Sequence, residues 1–248
     1  MAQPLAVLDV GSQYTQLIVR RIRELGYFSK LYQPRELRET GDPAAVILSG
    51  GPRSVLEDGA PDIDFDYLKS LGVPVLGVCY GMQLLNLKWG GEVAPGDSRE
   101  YGPATLVTER AEPLFHGIEG DSQIWMSHTD TCTKLANGTV VLGRNQHGTP
   151  VALQWERGWY GIQFHPEVSH SEEGMKVLAN FIKLAAHAPR FEIESFKAEL
   201  IKGIVEHVDG REVVCGVSGG VDSTVLAVLL HEAGVKLRPI FVDNGLLR

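Results

Sequence analysis

The 248-residue chain holds only three cysteines, Cys79, Cys132 and Cys215, far apart and without a C-x-x-C pair. That usage argues against a disulfide framework and against a cysteine zinc site. Positive charge is also scarce: 23 Lys and Arg stand against 31 Asp and Glu, a formal net charge of -8. Such a balance argues against bulk electrostatic capture of nucleic acid or of an anionic membrane. No apolar run is long enough to span a bilayer, and the opening MAQPLAVLDVGSQ has no basic segment leading into a long apolar stretch. There is no Gly-Lys dipeptide and no G-x-G, which excludes a Walker A loop and a dinucleotide fingerprint. The reading left is a soluble protein of a reducing cytoplasm. Its 44% of hydrophobic residues can bury a sizeable core.

What is present is an alternation of short apolar runs with helical patterns. Ala6–Val10, Phe28–Tyr32, Ala45–Ser49 and Pro74–Val78 read as strands. Ile18, Ile22 and Leu25 mark one face of a helix, with Ser12 a candidate N-cap and Gly26 a stop. A second helix is expected over about 63–71 and a third from Met82. This order predicts an α/β fold with a central, mostly parallel sheet, whose ligands bind beyond the carboxyl ends of the strands. After Gly91 the segments near 104–108, 139–143, 151–155 and 159–164 are short and β-rich, predicting an antiparallel or mixed extension. A helix over 171–186, a linker near Ala188-Pro189 and a second strand–helix–strand pattern follow.

Chemistry concentrates in three places. Gly77-Val78-Cys79-Tyr80-Gly81 is a nucleophile elbow with Cys in place of Ser. A thiol there feels the positive end of a helix dipole, and the Tyr80 N–H can face a developing oxyanion. His165 and Glu167 are two apart, so in an extended segment both project to one side, suiting a base and the carboxylate that orients it. Gly50-Gly51-Pro52 follows an apolar strand, and the Gly51 N–H is a candidate second oxyanion donor. Each has a blander reading when taken alone: a core cysteine, a structural His-Pro-Glu turn, a plain Gly-Gly-Pro turn.

In the order LSGGP (48–52), GVCYGMQ (77–83) and FHPE (164–167), the chain resembles the class I, or triad, glutamine amidotransferases. The resemblance implies that Cys79 attacks the side-chain amide of glutamine, His165 shuttles the proton and Glu167 orients His165. It also promotes Gly50, Gln83, Ser127, His128 and Asp130 to glutamine contacts. Their ordinary reading is loop and cap polarity. Glutamine hydrolysis would need no cofactor. Finer matches, LDVGSQYTQLIVRRIRELG (8–26), SREYG (98–102), WMSHTD (125–130) and QFHPEVSHSEEG (163–174), resemble the GMP synthetase family. That family usually shows Gly where Thr129 stands and Phe where Val10 stands. A β-branched residue is costly wherever φ must be positive.

The strand Glu212–Val217 runs into Ser218-Gly219-Gly220-Val221-Asp222-Ser223-Thr224 and a helix. A Gly-rich turn at a helix N-terminus makes an anion site, and a carboxylate such as Asp222 suits Mg²⁺. With FVDNGLLR (241–248), it resembles the PP-loop of N-type ATP pyrophosphatases. That implies ATP contacts at Ser218–Thr224 and at Val242, with Asp243 nearby. The expected division is an amidotransferase domain over 1–188 and, over 189–248, the start of an α/β adenine-nucleotide hydrolase-like domain cut off after its second strand. About forty residues cannot bury a stable core alone. By resemblance the full-length family aminates XMP to GMP with ATP, Mg²⁺ and glutamine, and forms a homodimer through a further C-terminal domain. Two other readings are a γ-glutamyl hydrolase on the same fold and a non-catalytic module that binds glutamine or a partner.

Overall fold

The computed structural model describes residues 4–39, 41–111, 113–118 and 120–241. Contacts divide the chain into two units, one ending at Phe191 and the other beginning at Glu192. The first unit runs β1 (Leu5–Leu8), α1 (Thr15–Glu24), β2 (Ser29–Tyr32), a 3-10 turn at Pro34–Glu39, β3 (Ala45–Leu48), α2 (Phe65–Ser70), β4 (Val75–Val78) and α3 (Tyr80–Lys88). It continues through β5 (Glu92–Thr108), β6 (Ser122–Lys134), β7 (Val140–Asn145), β8 (Pro150–Glu156), β9 (Trp159–Ile162) and α4 (Gly174–Ile182).

These strands form one sheet in the order β2-β1-β3-β4-β9-β8-β7-β5-β6. The first five run parallel, and the pairings from β9 through β8, β7 and β5 to β6 are antiparallel. Every residue of β1, β3, β4 and β9 is buried. Strands covered on both faces read in the sequence as unbroken apolar runs. Alternate side chains divide between two cores. Val7, Ile47 and Val78 join Ile18 and Ile22 of α1 and Phe181 of α4 on one face. Leu8, Leu48 and Val75 join Leu68 of α2 and Met82 and Leu85 of α3 on the other.

Three local expectations are corrected. Ser12 is not the cap of α1; its Oγ accepts the Tyr14 N–H at 3.0 Å inside a turn, and the helix starts at Thr15. The helix expected over 171–186 spans only Gly174–Ile182; its start is held back where the Ser171 side chain bonds His165 O and the Trp125 N–H. Residues 125–130 are not a loop but part of β6. The segment near the expected linker is tied down: Phe28 N–H donates to Pro189 O at 2.8 Å and Phe191 N–H to Gly26 O at 2.9 Å.

The second unit comprises α5 (Ile193–Val208), β10 (Glu212–Val217), α6 (Val221–Glu232) and β11 (Lys236–Phe241), with β10 and β11 parallel. Cys215 and Leu230 are buried, while Val214, Val225 and Phe241 are at least half exposed. Val242 and Asp243 lie outside the described residues. No helix among the described residues is long and apolar enough to cross a membrane.

Candidate active site

The carboxyl ends of β3, β4 and β9, neighbours in the parallel sheet, deliver Gly50-Gly51, Cys79 and His165 to one place. Cys79 joins β4 to α3 with φ 51° and ψ -104°, one of two non-glycine residues with positive φ among those described. The flanking glycines of the elbow are steric requirements. A Cβ on Gly77 would lie 2.5 Å from the Gly81 carbonyl carbon, and one on Gly81 would lie 2.6 Å from Leu48 O. The turn is therefore pressed against β3, and the Cys79 N–H is pinned to Ile162 O of β9 at 2.7 Å. The Tyr80 N–H sits in the first turn of α3, where a helix offers it no acceptor of its own.

His165 is buried and stands beside Cys79: a Cβ on Gly50 would meet both, 2.8 Å from the imidazole Cε1 and 3.5 Å from Cys79 Cβ. On its other side, its Nδ1 lies 2.7 Å from Glu167 Oε1, and the Glu167 side chain is fully buried. Burial alone would lower the His165 pKa; the neighbouring Cys79 and the hydrogen-bonded Glu167 carboxylate overcome it, pushing the pKa up to about 10. The balance favours the charged imidazole. Sequence reasoning missed the residues that hold this pair. Ser171 Oγ donates to His165 O at 2.6 Å and accepts the Trp125 N–H at 3.0 Å, clipping the segment to β6. Arg21 Nε, from α1, donates to Glu167 O at 3.0 Å. Tyr14 meets the imidazole edge-on, with centroids 5.5 Å apart. Nothing in local spacing announces these partners, which range from Ser171, six positions from His165, to Arg21, 146 positions from Glu167.

Beside the thiol is a narrow cleft of about 40 Å³ whose walls include Gly51, Tyr80, Gln83, His128, Thr129 and Asp130. Ser127 faces the thiol through its backbone: Cys79 Sγ lies 3.6 Å from Ser127 O. Gln83 is buried, and its Nε2 donates to Asp130 O at 2.8 Å. Asp130 accepts a hydrogen bond from Ser54 Oγ. Thr129 does not take the positive φ that its replacement of the family's Gly called into question. It lies in β6 opposite the irregular stretch of β5 between Pro95 and Glu100. Cys132, on the same strand, is half-buried against the core, and loss of solvent around its thiol pushes it up to about 12.

Residues 6–185 match the family model for glutamine amidotransferase class-I. The chain belongs to the class-I glutamine amidotransferases. Over 249 residues it is 47% identical to a GMP synthase [glutamine-hydrolyzing] of Thermosipho melanesiensis, an alignment covering 98% of this chain and 48% of that protein. A GMP synthase [glutamine-hydrolyzing] of Nitratidesulfovibrio vulgaris is also 47% identical, over 250 residues, with the same coverage. The chain thus spans about half the length of the curated relatives it matches. A crystal structure from Thermoplasma acidophilum, described provisionally as part of a GMP synthase, superposes with a TM-score of 0.65 at 27% identity, covering 75% of this chain and 95% of that one. Residues 211–246 match the model for the tRNA methyl transferase HUP domain, in keeping with a second, α/β piece after the amidotransferase fold.

In that second unit the loop after β10 closes on itself. Gly219 takes φ +81°, Ser218 N–H donates to Ser223 Oγ at 3.2 Å, and Ser223 and Thr224 hydroxyls donate to Gly220 O at 3.2 and 2.8 Å. Val221 and Asp222 are exposed in the first turn of α6. Among the described residues no group of three or more His, Cys, Asp or Glu could hold a metal ion.

Proposed function

We propose that this chain is the glutaminase part of a GMP synthase, using Cys79, His165 and Glu167 as its triad. One observation carries the reading: the strained Cys79 elbow and the His165 imidazole meet at the Gly50 backbone, and His165 is paired with the buried Glu167 carboxylate at 2.7 Å. The Cys79 sulfur attacks the amide carbon of glutamine. The oxygen that develops negative charge is met by the N–H groups of Gly51 and Tyr80. His165, kept protonated beside Glu167, gives its proton to the leaving nitrogen, and ammonia departs from a γ-glutamyl thioester. Water, relieved of a proton by the now neutral His165, attacks the thioester and releases glutamate. Gly50, Gln83, Ser127 and His128 supply the walls that orient glutamine.

The ammonia serves the ATP-dependent amination of XMP to GMP in the full-length reaction. The domain reading remains 1–188 for the amidotransferase and 189–248 for the start of the pyrophosphatase-type domain. Ser218–Thr224 would receive ATP phosphates on backbone N–H groups at the start of α6. The solitary Asp222 fits a Mg²⁺ that arrives with the nucleotide, since this ion is commonly held by one or two carboxylates plus phosphate oxygens.

The test is ammonia release from glutamine by this chain, beside its Cys79→Ala variant, with and without ATP and XMP. Release that disappears with Cys79 supports the triad. Release that survives Cys79→Ala overturns it.

A further inference from the structure

In the triad reading the N–H groups of Gly51 and Tyr80 meet the same oxyanion, yet they belong to different segments, the exit loop of β3 and the first turn of α3. The Tyr80 side chain spans the two. It is among the largest fully buried side chains of the described residues. A buried phenol needs a partner for its hydroxyl. Here the hydroxyl donates to Pro61 O. Burial, helped by the charge of Asp62, pushes the phenol up to about 12, so the hydrogen stays on the oxygen at neutral pH.

Pro61 lies at the far end of the loop that leaves β3 through Gly50 and Gly51. No residue from Gly51 to Asp62 is buried, so the loop has no core of its own. It is braced from within instead. Arg53 Nε donates to Glu57 Oε2 at 2.8 Å, and its terminal nitrogens donate to Gly59 O and Asp58 O at 2.7 and 2.8 Å. The Glu57 and Ala60 N–H groups close turns on Ser54 O and Glu57 O at 3.2 and 3.0 Å. A piece braced in this way is placed as a whole by its outer contacts. Ser54 Oγ ties its middle to Asp130, and Val55 rests against the core. Tyr80 meets both its ends. Its hydroxyl holds Pro61, and its ring stands at Gly51, where a Cβ would lie 3.4 Å from Tyr80 Cδ2 and 3.0 Å from Val10 O.

We infer that the Tyr80 side chain is a positioning group for the oxyanion site: by bridging Gly51 and Pro61 it holds the Gly51 N–H in register with its own. This inference rests on the triad reading. Two donors help a developing oxyanion only when both already stand at hydrogen-bond distance from it, and donors that must first be gathered contribute less. The hydroxyl is engaged on Pro61 rather than offered to the cleft, so its loss is read in the chemical step rather than in glutamine binding.

The experiment compares the parent chain with Tyr80→Phe, which keeps the ring and removes the hydroxyl, and with Tyr80→4-aminophenylalanine, which returns a donor opposite Pro61 O. Tyr80→Phe should lower kcat for ammonia release by about 10-fold and leave the KM for glutamine within about twofold. The aminophenylalanine variant should recover most of the rate. Alkylation of Cys79 by iodoacetamide forms a carbon–sulfur bond, expels iodide and builds no oxyanion, so its rate should stay within about twofold of the parent in Tyr80→Phe. Amide hydrogen exchange across residues 51–60 should quicken in Tyr80→Phe, a readout that needs no turnover. A kcat within about twofold of the parent overturns the inference. So does unchanged exchange across 51–60, or a fall in alkylation as large as the fall in kcat, since the latter marks a general disturbance of the elbow. Failure of the triad reading looks different: ammonia release that survives Cys79→Ala, whatever stands at position 80.

Discussion

Gly50 lies so close to His165 that a Cβ on it would come within 2.8 Å of the imidazole Cε1 and 3.5 Å of Cys79 Cβ. The glycine of β3's exit loop therefore sets how near the imidazole stands to the thiol. Gly50→Ala should push the ring aside, and a displacement of about 1 Å can cost on the order of a hundredfold in rate. We expect kcat for ammonia release to fall by about that factor while the thermal midpoint moves little. A rate within about twofold of the parent would show that the ring tolerates the added methyl.

Cys79 occupies a backbone region that side chains avoid, with φ 51° and ψ -104°. Such strain costs on the order of 1–3 kcal/mol. Cys79→Gly relieves it, whereas Cys79→Ala retains it. Both variants should be inactive, but Cys79→Gly should be the more stable by about 1 kcal/mol in urea unfolding, after the entropic cost of glycine. The opposite order would mean that the elbow is not strained.

The raised pKa of His165 has a consequence for stability. The folded form binds this proton up to about pH 10, whereas an unfolded histidine releases it near 6.5. The stabilisation is therefore fully present below about 6.5 and is lost as pH rises through about 10. Urea midpoints should fall between these values. Glu167→Gln should flatten the fall, because the carboxylate is one of the groups that hold the proton. An equally steep fall in that variant would place the linkage elsewhere.

Thr129 stands in β6, outside the positive-φ region. Replacing it with Gly relieves nothing and removes a residue suited to a strand. Thr129→Gly should cost roughly 0.5–1 kcal/mol in urea unfolding. A gain in stability would show that the position is strained after all.

The linear chain carried much of this. The buried strands β1, β3 and β4 were legible because strands covered on both faces need unbroken apolar runs, and the elbow was legible because Gly77 and Gly81 admit no side chain. The pairing of His165 with Glu167 followed from their spacing. β6 was not legible: its buried positions include Ser122, His128 and Asp130, and its polar alternation resembles a loop. His128 and Asp130 are buried where β5 and the 50–54 loop pack against them, through Glu100 and Ser54.

Sequence by itself pointed to Cys79, His165 and Glu167 and to the strand ends from which Cys79 and His165 emerge, because those depend on local backbone geometry. Tertiary structure alone decided their partners: Arg21 on the backbone of Glu167, Ser171 clipping His165 to β6, and Glu100 opposite His128. Those contacts join residues distant in the chain, and hydrogen bonds between them exist only once the sheet has set the register.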